Sequence, residues 1–163
     1  MPIQSVTSIT TLDLFATAIL AGFLIPLVLI DLRDLRLPDR LTLPLIGIGL
    51  ALGAIRTGGW PVDGAAGAAL GYAAFWLIGE AFFRLRGVDG LGRGDAKFLA
   101  AAGAWLGPAA LPWLVLIAAA AGLTVVLAKS LIQGRKHSSA LAFGPWLAAA
   151  FWAIWLFELV SAN

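Results

Sequence analysis

The stretch Gly92-Arg93-Gly94-Asp95-Ala96-Lys97 sets a carboxylate at the mouth of an apolar run, and Asp31, Asp34 and Asp39 crowd the end of an earlier one. Ionisable groups at that depth are costly and mark a functional site by default. Two carboxylates facing one water have a defined use. One, ionised, takes a proton from the water; the other, protonated, gives a proton to the oxygen of the carbonyl under attack. Sharing one proton suits them, because two like charges so close do not both ionise easily. Asp31 directly follows the uninterrupted apolar run 23–30, and Asp95 follows a turn whose Gly92 and Gly94 permit backbone shapes that other residues resist. Those glycines would also let the chain approach a substrate backbone closely. No other nucleophile competes: the chain has no cysteine, and its one histidine, His137, lies in the polar segment Gly134-Arg135-Lys136-His137-Ser138. The same absences leave no ligand set, so neither a metal nor a cofactor is expected.

Each acid also has a plain structural role available. Asp95 suits the N-cap of the helix that follows it, and Asp39, in Pro38-Asp39-Arg40-Leu41-Thr42, suits the N-cap of its own. Asp34 sits between Arg33 and Arg36 as part of a solvated charge cluster, and Glu80 has Arg84 one helical turn later. Lys97 is placed either to balance Asp95 or to face lipid head groups. Taken singly, spacing favours structure over chemistry for each acid. Helix dipoles give a further expectation. Asp31 near a helix C-terminus should hold the proton, and Asp95 near an N-terminus should be ionised.

The elements that must bring these residues together are membrane helices. The chain is 61% hydrophobic and 12% charged, against about 25% charged in soluble domains. Such a chain cannot hide its apolar surface in water. Its 163 residues are read as one domain, 1–163, an all-α integral membrane protein with six transmembrane helices near 12–30, 41–55, 64–83, 95–106, 109–132 and 140–160. The second and fourth are short for a full span. Gly47, Gly49, Gly53, Gly67 and Gly71 suit close helix–helix approach in lipid. No basic residue precedes the first apolar run, so no cleaved signal is expected.

Charge fixes the orientation. Of the 11 basic residues, all but Arg56 fall in the loops after the first, third and fifth helices or at their edges. The positive-inside rule makes that side cytoplasmic, with the N- and C-termini external and both acids at the cytoplasmic face. A net charge of +2 without a basic stripe gives no reason to expect nucleic acid as a partner; membrane lipids are the expected surroundings. Trp60, Trp105, Trp113, Trp152 and Trp155 fall near external helix ends and read as an interfacial belt, with Trp76 and Trp146 as deeper packing residues.

Three segments resemble the signatures of the prepilin peptidases, in the right order and within 24–150. The stretch from Ile30 to Pro44 is similar to the first signature. Gly92-Arg93-Gly94-Asp95-Ala96-Lys97 is similar to the Gly-x-Gly-Asp motif, and Ala142-Phe143-Gly144-Pro145-Trp146 to the Phe-Gly-Pro element of the last helix. The resemblance implies an aspartyl peptidase of the bacterial inner membrane with Asp31 and Asp95 as its catalytic pair. Gly92, Gly94, Lys97, Phe143, Gly144 and Pro145 would then position substrate. The implied partners are precursors of type IV pilins or pilin-like secretion subunits, cut after a leader glycine just before the apolar pilin helix. Longer members carry a cysteine-rich zinc-binding insertion and methylate the new N-terminus. Lacking cysteine, this chain is expected to be a short form without methyl transfer. A presenilin-like protease shares Gly-x-Gly-Asp but pairs it with Tyr-Asp, whereas Ile30 precedes Asp31 here. A small transporter or channel would instead need polar residues at mid-bilayer depth.

Overall fold

Residues 10–87, 92–133 and 142–161 are described by a computed structural model of the chain, and within them every extended element is a helix. In order these are α1 (Thr11–Asp34), α2 (Asp39–Thr57), α3 (Val62–Arg86), α4 (Arg93–Leu106), α5 (Leu111–Gln133) and α6 (Gly144–Ser161), with one 3-10 turn, Pro108–Ala110, before α5. Five of the six are long and apolar enough to cross a membrane. The exception is α4, at 14 residues. It is the best-sheathed helix: from Ala96 to Trp105 every residue but Lys97 is buried. The protein is thus an all-α, multi-pass membrane protein.

Two helix ends differ from expectation, and both matter for the acids. α1 continues through Asp34, because Asp31-Leu32-Arg33-Asp34 holds no glycine or proline to stop it. Leu35 ends it in the left-handed region at φ 52°, its N–H bonded to the Asp31 carbonyl at 3.0 Å. Asp31 therefore lies inside the last turn instead of beyond the helix. α6 starts at Gly144, later than expected, since Ala142 and Phe143 are not helical. The Phe143 carbonyl accepts the first bonds, from the N–H groups of Trp146 and Leu147 at 3.1 and 3.2 Å. Pro145 fits in that first turn because no N–H is needed there. The expected start at Ala140, and the loop holding Arg135, Lys136 and His137, lie outside the described residues.

Small residues let α4 sink between its neighbours. Gly67 of α3 and Gly103 of α4 face each other so closely that a Cβ on either would strike the other's backbone. One turn along, a Cβ at Gly71 would stand 2.6 Å from the Leu99 carbonyl oxygen. Gly49 of α2 makes room for the Trp105 ring, whereas Gly47 meets nothing and faces open space.

Tryptophan placement divides. Trp60 and Trp113 are exposed, as a belt requires. Trp105 and Trp155 are buried in the core, where their rings meet edge to face at 5.3 Å. Each buried indole N–H finds a partner: Trp105 donates to the Leu45 carbonyl at 2.8 Å and Trp155 to the Thr17 hydroxyl at 3.0 Å. Trp76 goes the other way and is exposed on the outside of α3, while Trp146 packs on the core. In helices apolar all round, position along the axis says nothing about which face turns inward.

Candidate active site

Alternating helix direction puts the ends of α1, α3 and α5 and the starts of α2, α4 and α6 at one end of the bundle. Asp31 stands there in the last turn of α1, 5% exposed. Its Oδ2 accepts the N–H of Gly144 at 2.9 Å, across 113 residues of sequence. That N–H is one of the unsatisfied donors opening α6, and a helix N-terminus favours a negative charge before it. A Cβ on residue 144 would lie 2.7 Å from Asp31 Oδ2 and 3.0 Å from its Cγ, so any other residue there would push the carboxylate aside. Phe143 anchors the same turn against Phe75 of α3, with ring centroids 6.4 Å apart. Thus Phe143, Gly144 and Pro145 seat, donate and start the helix in turn.

Asp95 lies in the first turn of α4, outside the five crossing helices, and is half-buried. It is not the N-cap. Gly92 holds that position, without a side-chain cap, and its carbonyl accepts the Asp95 N–H at 3.0 Å. Burial, and then the nearby charge of Asp31, raise the Asp95 carboxyl to about 6; the Gly92 N–H acts against them. The two acids line one open cavity of about 750 Å³, together with Asp34, Arg36, Gly92 and Gly94. Asp31 faces the start of α6, which favours its charge, and half-burial beside that acid disfavours the charge of Asp95; both oppose the dipole expectation. Nothing in the local sequence places the start of α6 against the end of α1, so this third helix end carries no sequence signal.

The glycines of the Gly-x-Gly-Asp turn serve differently from expectation. Gly92 is extended, at φ −67°, and Gly94 is not left-handed either. What they supply is closeness. A Cβ at Gly94 would come within 3.0 Å of Leu37 Cβ and 3.3 Å of its backbone nitrogen, so α4 begins pressed on the segment that follows α1. Gly92 leaves room beside the Asp95 carboxylate, where a Cβ would stand 3.2 Å from Oδ2. Lys97 lines the cavity but pairs with Asp39 at 2.6 Å, not with Asp95. Asp39 is the first residue of α2 and makes no capping bond; Pro38 takes the cap position. The Glu80–Arg84 pair forms as expected, at 2.8 Å. Leu37 and Phe75, buried supports of the site, carried no local signal in the sequence.

A model of the type IV leader peptidase family matches residues 18–127, which include Asp31 and Asp95. Phe143, Gly144 and Pro145 lie beyond that match. The chain is 46% identical over 135 residues to the prepilin leader peptidase/N-methyltransferase of Pectobacterium carotovorum subsp. carotovorum, covering 83% of this chain and 48% of the relative. The similarly named protein of Dickeya chrysanthemi is 45% identical over 139 residues, covering 85% and 49%. That of Neisseria gonorrhoeae is 41% identical over 137 residues, covering 83% and 46%. The chain therefore spans about half the length of the curated relatives it matches. No solved structure matches it.

Proposed function

The chain belongs to the type IV leader peptidase family, and on that premise we propose that it is an aspartic endopeptidase that removes the leader peptide from type IV prepilins or pilin-like secretion subunits. One observation carries the reading: Asp31 and Asp95 share a cavity at one end of the bundle. In the proposed reaction, Asp31, ionised before the α6 N-terminus, takes a proton from the attacking water. Asp95, neutral below about pH 6, hydrogen-bonds the scissile carbonyl and protonates its oxygen. Collapse of the tetrahedral intermediate returns that proton to Asp95 and sends the one on Asp31 to the leaving amine. Cleavage follows a leader glycine, immediately before the apolar helix.

The acids' end carries Arg33, Arg36, Arg40, Arg84, Arg86, Arg93 and Lys97, and the positive-inside rule would turn it to the cytoplasm of an inner-membrane protein. A transporter is poorly supported. Among the described residues the buried polar side chains are Asp31 and Thr42, both near that same end, with no polar path through the middle. Reconstitution with a prepilin tests the reading. Asp31→Asn and Asp95→Asn should each lower cleavage by at least about a hundredfold while the thermal midpoint is kept. Turnover surviving in either variant removes that residue from the pair.

A further inference from the structure

A second concavity, of about 450 Å³, opens toward lipid between α1 and α6. Leu24, Ile25 and Val28 form one wall, Pro145 and Ala149 the other, and Trp152 stands at the far end. Its lining is apolar throughout, in contrast to the cavity of the acids. The two adjoin without sharing a lining residue, Leu29 of the groove being next to Ile30 of the cavity. Val28 precedes Asp31 by one turn on the same helix face, and Pro145 adjoins Gly144, the donor to Asp31. From Pro145 to Trp152 the groove runs about 10 Å, two turns of a helix.

That length and adjacency suit one occupant. A peptide bond inside a helix is a poor substrate, because its carbonyl is already hydrogen-bonded and packed against the next turn. A chain that is helical in the groove and extended in the cavity meets both needs. The first N–H groups of such a helix have no partners of their own and would remain at the polar end, beside the acids. Its apolar side chains would lie against Ile25 and Ala149, both exposed on the groove surface.

We propose that the α1–α6 groove docks the first two turns of the substrate's apolar helix, immediately C-terminal to the bond that is cut. This rests on the peptidase reading above. The absence of cysteine gives a clean test. Ala149→Cys is introduced beside Asp95→Asn, and precursors carry single cysteines scanned along the start of their apolar segment. Disulfide cross-links should form at positions one helical turn apart. Leu77→Cys, exposed on α3 away from the groove, should give none. In the active protein, Ala149→Trp should lower kcat/KM for the precursor by about tenfold, the scale of one well-buried side chain, and leave a short soluble peptide lacking the helix unaffected.

Cross-linking at Leu77 as strong as at Ala149, or none at Ala149, overturns the docking site. So does an Ala149→Trp variant that slows both substrates equally. Cleavage of the precursor by the unmodified chain separates the failures. If it cuts but no groove cross-link forms, lipid occupies the groove and the peptidase reading stands. If it does not cut, both fall.

Discussion

The two ends of the bundle treat charge in opposite ways. At the end where α1 begins, Asp13 closes a capping box with Thr10 and also binds Arg56 at 2.6 Å. The same guanidinium lies 5.0 Å from the centre of the Trp155 ring, over the buried Trp105–Trp155 pair. Charge there is neutralised and stacked on a packed core. At the other end Asp31 has a backbone N–H as its partner, and Asp95 is half-buried near that second acid, over an open cavity. Lys97, two residues from Asp95, is turned away to Asp39. The first arrangement holds helices together; the second keeps carboxyl groups under-neutralised and close to water. On the proposed reading, the contrast separates acids that stabilise from acids that move protons.

Four changes break or sharpen that contrast. Gly144→Ala has the largest effect, because its methyl would displace the Asp31 carboxylate. A shift of that size is expected to cost about a hundredfold in cleavage while changing thermal stability little. Activity near normal would show that the α6 N-terminus does not hold Asp31 for the reaction.

The next effect is on pH. With the Asp95 carboxyl raised to about 6, its neutral form is lost as pH rises through that value, so kcat/KM should fall by about tenfold per unit above it. The folded value lies above the ordinary 3.8. Between about pH 4 and 6 the folded chain thus holds a proton that the unfolded chain has released, and this contribution to stability declines as pH rises across the window. Asp31→Asn removes the neighbouring charge and should move the Asp95 carboxyl band to lower pH in infrared titration. An unmoved band would uncouple the two acids.

Arg56→Ala probes the opposite end. It should lower stability by about 1 kcal/mol through the lost ion pair and ring contact, and leave kcat/KM unchanged. Loss of activity without loss of stability would erase the distinction between the ends. The smallest effect belongs to Asp39→Asn. The Asp39–Lys97 pair is largely exposed on the Asp39 side and Asp39 caps nothing, so the melting shift should stay below about 0.5 kcal/mol and shrink further in salt. A cost nearer 2 kcal/mol would restore the capping role expected from sequence.

The helices and the two acids were legible because their signals are local: apolar runs, glycine turns, and carboxylates at the edge of lipid. What depended on distant contacts was not. Nothing near Asp31 reveals that Gly144 will donate to it, or that Phe75 will seat Phe143. The position of Asp31 at the end of its own helix reveals one dipole but not the opposing one, whose Gly144 N–H it accepts. Trp105 and Trp155 were misplaced for a related reason. A tryptophan near a helix end suits an interface equally well as a core, and burial decides between them only after the helices pack.

The brevity of α4 has one more consequence. Fourteen residues rise about 21 Å, well short of a hydrocarbon layer about 30 Å thick, whereas α1 and α3, at 24 and 25 residues, rise about 36 to 38 Å. The innermost rod is therefore shorter than its sleeve, and Asp95 in its first turn opens on the cavity. On the proposed reading, solvent reaches the acids through that cavity while the helix to be trimmed comes in sideways from the bilayer. In the proposed hydrolysis, water and polypeptide enter by separate doors.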